Sequence, residues 1–158
     1  MKSKAKGFTL IELIVVIGII GVLAAILVPS MLGYLRSARI AKYNANAKLI
    51  HTSASMFVVD LYRDGKPVGQ DTVFLSSTAG VPIAVANGVT IDLTENIGKA
   101  YGGYFGFLTD SLGLSVVCAV WSDFAVTADM VEIKTADEVA ASFAQGKPVG
   151  VHPLRVGS

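Results

Sequence analysis

From Leu13 to Val28 every residue is apolar or glycine. With Phe8 to Ile11 in front, the run is about 20 residues, roughly 30 Å of helix and long enough to span a bilayer. Glu12 is its one charged position. Past Pro29 the pattern turns amphipathic, because Ile40, Tyr43, Ala47, Ile50, Ala54, Phe57 and Leu61 recur at alternating steps of three and four. That spacing predicts one helical stripe facing a core. Arg39, Lys42, Asn44, Asn46, Lys48, Thr52 and Asp60 fall between its members and make the other face wet. Arg63-Asp64-Gly65-Lys66-Pro67 ends the helix with a glycine and then a proline that cannot continue it. One helix from about Phe8 to about Tyr62 is therefore expected, roughly 80 Å long if unbroken.

Downstream the chain reads as strands. A loop is expected around Val68 to Gly80. Ile83 to Ala86 and Val89 to Leu93 then flank Asn87-Gly88, a two-residue hairpin signal. A glycine-rich stretch, Gly98 to Gly106, overlaps a strand at Tyr104 to Leu108, in which Phe105 and Phe107 point to one face. Asp110 to Gly113 turns the chain into a run from Ser115 to Trp121, and a further strand is predicted around Phe124 to Ile133. Thr135 and Glu138 have capping-box spacing, which starts a short helix through Val139 and Phe143 to Gln145. Gly146-Lys147-Pro148 stops it, and Val149 to Val156 reads as an extended tail. The fold class is α+β, with a long N-terminal helix (transmembrane, then amphipathic) packed on a small antiparallel sheet of about four strands.

A carboxylate inside hydrocarbon is costly unless it meets a positive partner. Nothing basic follows Glu12 until Arg36, and Lys6 lies six positions back, off the neighbouring turns of a helix face. The partner is therefore sought outside the chain. A cut between Gly7 and Phe8 would create a new α-amino group at the membrane edge, able to pair with Glu12 of an adjacent copy. Such pairing, repeated head to tail without closing a ring, generates a helical filament.

Lys6-Gly7-Phe8-Thr9-Leu10-Ile11-Glu12 followed by an apolar helix resembles the class III leader and N-terminal segment of type IV pilins and pseudopilins. The resemblance covers about the first third of the chain. It implies that a prepilin peptidase cuts after Gly7 and methylates the amino group of Phe8, and that Glu12 neutralises the amino terminus of a neighbouring subunit. Pro29 stands where the family carries its helix-perturbing proline, with Gly18 and Gly21 upstream as further points of kinking or melting. The implied organisation is a leader at 1–7, a membrane and assembly helix at 8–29, an amphipathic stalk at 30–62 and a globular head at 63–158. The implied partners are further copies in a helical filament, the peptidase, the pilus or secretion assembly machinery and, before assembly, the membrane.

Blander readings fit less well. A secretory signal peptide has an apolar core of about 7 to 15 residues, shorter than this run. A plain signal anchor leaves Glu12 unpaired. Flanking charge alone leaves orientation open, since Lys2, Lys4 and Lys6 face Arg36, Arg39 and Lys42 across the span. The resemblance implies a single-pass precursor in the inner or cytoplasmic membrane, its N-terminus in the cytoplasm, and then an extracellular filament.

Charge divides the chain. Residues 1–48 hold seven Lys/Arg against one acid, and residues 49–158 hold six against eleven. An acidic head argues against general phosphate-backbone binding, and no specific nucleic-acid partner is expected. A single cysteine, Cys118, forms no intramolecular disulfide and sits in a β-like run, as a small buried hydrophobe does. His51 and His152 lack clustered ligand spacing, so no metal site and no catalytic base is expected of them. Calcium on Asp123, Asp129 and Glu132 is a minor alternative to having no cofactor, since their spacing matches no EF-hand. No P-loop, Gly-x-Ser-x-Gly or Cys-x-x-Cys occurs, and Gly98 to Gly106 lacks the strand-turn-helix context of a dinucleotide site. Tyr101, Tyr104, Phe105 and Phe107 read as core packing. The expectation is a non-catalytic filament subunit serving adhesion, twitching motility or DNA uptake. The alternatives are a pseudopilin of a secretion or competence system, and an uncut membrane-anchored binding module.

Overall fold

The computed structural model describes residues 7–97 and 102–155. Lys2, Lys4 and Lys6 of the expected leader, the stretch Gly98 to Tyr101 and the end of the tail at Val156 lie outside the described residues. The chain divides into two units, one up to Ala38 and one from Arg39 onward. Helix α1 (Leu10–Arg63) contributes to both, with Pro29 inside it.

In the first unit every described residue is exposed. Phe8, Leu10 and Ile11 are at least 70% exposed, and the 18-residue window of highest mean hydropathy reaches 3.0 with no part of it buried. A helix so apolar on all sides has its stable environment in lipid or against other helices.

The unit from Arg39 is a helix on a sheet. Tyr43, Ala47, Ile50 and Ala54 from the expected stripe are buried, joined by Val58, while Phe57 and Leu61 are half-buried at its border. They pack on β1 (Val73–Ser76), β2 (Ile83–Ala86), β3 (Val89–Asp92), β4 (Tyr104–Thr109), β5 (Val116–Ser122) and β6 (Gly150–His152), one antiparallel sheet in the order β3-β2-β1-β4-β5-β6. Phe74 of β1 and Phe107 of β4 stack with centroids 4.8 Å apart. The opposite face buries Cys118, Val120, Val126, Val131, Val139 and Val151, covered in part by α3 (Ala136–Ala144). A short α2 (Thr94–Ile97) follows β3, started by Asp92, whose Oδ1 accepts from Thr94 N at 2.8 Å.

Six strands replace the four expected. Val73–Ser76 is not loop but a central strand between β2 and β4. Part of the expected tail is β6, which pairs with β5 at Ala119, Val120 and Trp121. The predicted strand at Phe124 to Ile133 does not form. Its only regular element is a 3-10 turn at Ala128–Met130. Val126 and Val131 still enter the core from this loop, which explains the strand-like pattern of apolar residues. The Asn87-Gly88 hairpin is present, with φ of 48° and 77° at its two turn residues, the left-handed conformations that a tight turn between twisted strands needs. Thr109 is fully buried, and its hydroxyl accepts from Thr72 N and donates to the Gly69 carbonyl, both at 3.0 Å.

Candidate assembly segment

Glu12 lies in the first turn of α1. Its Oε2 accepts from the backbone N–H of Thr9 at 2.9 Å and from the Thr9 hydroxyl at 2.7 Å. The Thr9 hydroxyl in turn accepts from the backbone N–H of Glu12 at 3.3 Å. This reciprocal arrangement is a capping box, which satisfies otherwise orphaned donors at a helix start. Sequence reasoning sought Glu12's partner only outside the chain, yet Thr9-x-x-Glu12 has the same spacing as Thr135-x-x-Glu138, where the box was recognised. Among the described residues Glu12 is in no ion pair, and both bonds use Oε2, leaving Oε1 open.

Gly7 and Phe8 precede the helix and are exposed, Phe8 at 80%. At Gly18 and Gly21 nothing lies within 4 Å of where a Cβ would stand. Among the described residues no contact requires glycine at either place. Pro29 lacks the N–H that would meet the Ala25 carbonyl, and the next residue, Ser30, donates its hydroxyl to the Leu27 carbonyl at 2.9 Å.

Several polar side chains elsewhere serve the fold. The Tyr43 hydroxyl donates to Asp123 Oδ2. Burial, then this hydrogen bond, push the phenol up to about 12. The Tyr43 ring meets Trp121 and Phe143 edge-on at 4.6 and 4.8 Å. Burial pushes the Cys118 thiol up to about 12 as well. Asp123 answers to Tyr43, Glu132 pairs with Lys134, and a Thr127 hydrogen bond holds Asp129 below the usual carboxylate range. The three acids are thus not gathered, and no group of three or more His, Cys, Asp or Glu stands together among the described residues. Phe105 and Phe107 are fully buried core residues. His51 and His152 are brought together, ring against ring, a proximity that sequence spacing does not carry.

Residues 2–28 match the family described as the prokaryotic N-terminal methylation motif. That segment is similar to the N-terminal part of type IV fimbrial proteins. Over 70 residues the chain is 39% identical to a type IV major fimbrial protein FimA of Dichelobacter nodosus, covering 44% of this chain and 42% of that one. It is 28% identical over 114 residues to a fimbrial protein of Pseudomonas aeruginosa, covering 65% and 73%. A prepilin peptidase-dependent protein D of Escherichia coli is 61% identical over 36 residues, 23% of this chain and 25% of that one. The chain spans about half or less of the length of the first four curated relatives it matches. No solved structure matches it. The matched segment thus coincides with the exposed apolar helix and its capped carboxylate.

Proposed function

We propose that this chain is the precursor of a type IV pilus subunit, cut between Gly7 and Phe8 by a prepilin peptidase, methylated on the Phe8 amino group and polymerised through the N-terminal part of α1. The observation that carries this reading is the Gly7-Phe8 junction immediately ahead of an apolar helical stretch, exposed through Ala38, whose first turn holds a carboxylate in no ion pair among the described residues. The open Oε1 of Glu12 accepts the amino terminus of an adjacent copy, and burial among neighbouring helices then costs less than burying either charge unpaired. Before assembly the same helix holds the precursor in the inner or cytoplasmic membrane with its N-terminus inside; afterwards the filament stands outside the cell. Gly18, Gly21 and Pro29 are the place where that helix loosens in the packed fibre. The subunit is structural and catalyses nothing itself.

A pilus is preferred to a pseudopilus because several relatives are named as major fimbrial or pilin proteins. Intact mass of the protein from its own cells tests the processing. The expected result is loss of residues 1–7 and gain of one methyl group, and a full-length mass overturns the reading in favour of an uncut anchor. Glu12→Ala is expected to abolish or strongly reduce sheared fibre while leaving the unit from Arg39 folded. Wild-type fibre yield from that variant would remove Glu12 from assembly.

A further inference from the structure

His51 lies on α1 and His152 on the edge strand β6, and their ring centroids are 5.1 Å apart with planes at 80°. The seam that holds them is well defined. Asn44 Oδ1 accepts from Val151 N at 3.1 Å, and Gly150 lies so close to the Tyr43 carbonyl that a Cβ there would collide with it. Both rings are half-buried, held by their surroundings yet reachable from solvent. Two imidazoles on one tetrahedral ion, with metal–nitrogen distances of about 2.0–2.1 Å and ring centres about 1.1 Å behind each nitrogen, have centroids about 5.2 Å apart. The observed separation, also that of an edge-on aromatic contact, brings the two rings within reach of one ion.

We propose that His51 and His152 form a two-imidazole site for a divalent transition-metal ion of the zinc type. The ligand form of histidine is the neutral ring, the form an ordinary imidazole mostly takes at about pH 7.5. A backbone hydrogen bond with Val116 raises the basicity of His51, the kind of outer contact that orients a ligating imidazole. Lys48 is the charged group near the pair and opposes the ion. Two protein ligands leave two positions of a tetrahedral ion to water or to a donor from another molecule. Bound there, the ion ties the three-residue β6 to α1, and mass action stabilises the folded unit.

The test uses the full chain in detergent micelles at about pH 7.5. Titration with Zn2+ followed by calorimetry is expected to show one ion per chain, and His51→Gln and His152→Gln are each expected to weaken it by about tenfold or more, on the scale of single contacts to a metal site. Lys48→Gln, which spares both ligands, is expected to tighten binding. Cu2+ used as a spectroscopic probe should show hyperfine coupling to two imidazole nitrogens in the unaltered chain. A copper spectrum with fewer than two such nitrogens overturns the proposal without requiring any variant to fold. So does Zn2+ binding that neither histidine substitution changes, or no binding at millimolar Zn2+.

Discussion

Tyr43 shows how one side chain can serve two interfaces. Its ring fills the space between Trp121 and Phe143 while its hydroxyl reaches Asp123, which is exposed. Tyr43→Phe keeps the packing and removes only the hydrogen bond. A bond to a charged acceptor is worth about 1.5–3 kcal/mol in favourable settings, but Asp123 regains water when it loses its donor, so a loss of about 1 kcal/mol is expected. Urea unfolding followed by Trp121, the chain's single tryptophan, measures it. Tyr43 was legible as a core position from its place in the three-four stripe. Its hydrogen bond was not, because the acceptor lies 80 positions away and nothing local marks it. The same holds for His51 and His152.

At the scale of elements, what was legible is what short-range chemistry fixes. Asn87-Gly88 specifies its hairpin because those two residues tolerate the required backbone. Thr135 and Glu138 start α3 through a complete capping box, with Glu138 N donating to the Thr135 hydroxyl at 3.3 Å and Thr135 N donating to Glu138 Oε2 at 2.7 Å. Thr135→Ala should cost about 1 kcal/mol, the usual worth of an N-cap, read as a lower urea midpoint with an unchanged slope. The short strands β1 and β6 escaped because four and three residues are too few for alternation to declare itself without a turn signal such as the Asn87-Gly88 that joins the equally short β2 and β3, and each exists through its partners. The segment after Phe124 misled for the opposite reason. Val126 and Val131 are core residues, but Thr127 and Asp129 hydrogen-bond locally and hold the backbone in a turn.

For the whole molecule, pH is expected to act through the histidine pair before it acts on the carboxylates. Both rings are held below the ordinary value of 6.5, so the folded chain binds fewer protons than the unfolded one as acidity rises. The stability is complete above that value and is lost as pH falls from there through the lowered folded values. Urea midpoints measured in metal-free buffer between about pH 7 and about pH 5 should fall for the wild type and fall less for the His51→Gln/His152→Gln double variant. The long apolar helix and the α+β class were legible because hydropathy over some 20 residues and a sustained helical period are the strongest signals a sequence carries. The capped form of Glu12 was legible in principle and overlooked, since attention went to its charge rather than to Thr9 three residues before it.

The sealed position of Cys118 has a practical use. Its sulfur is wholly enclosed and its proton is retained up to about 12, so maleimide reagents, which attack the thiolate, will pass it by under native conditions. A cysteine introduced at any exposed point then becomes the sole handle for a dye, and the assembly proposed above can be followed by light microscopy without first removing the native thiol.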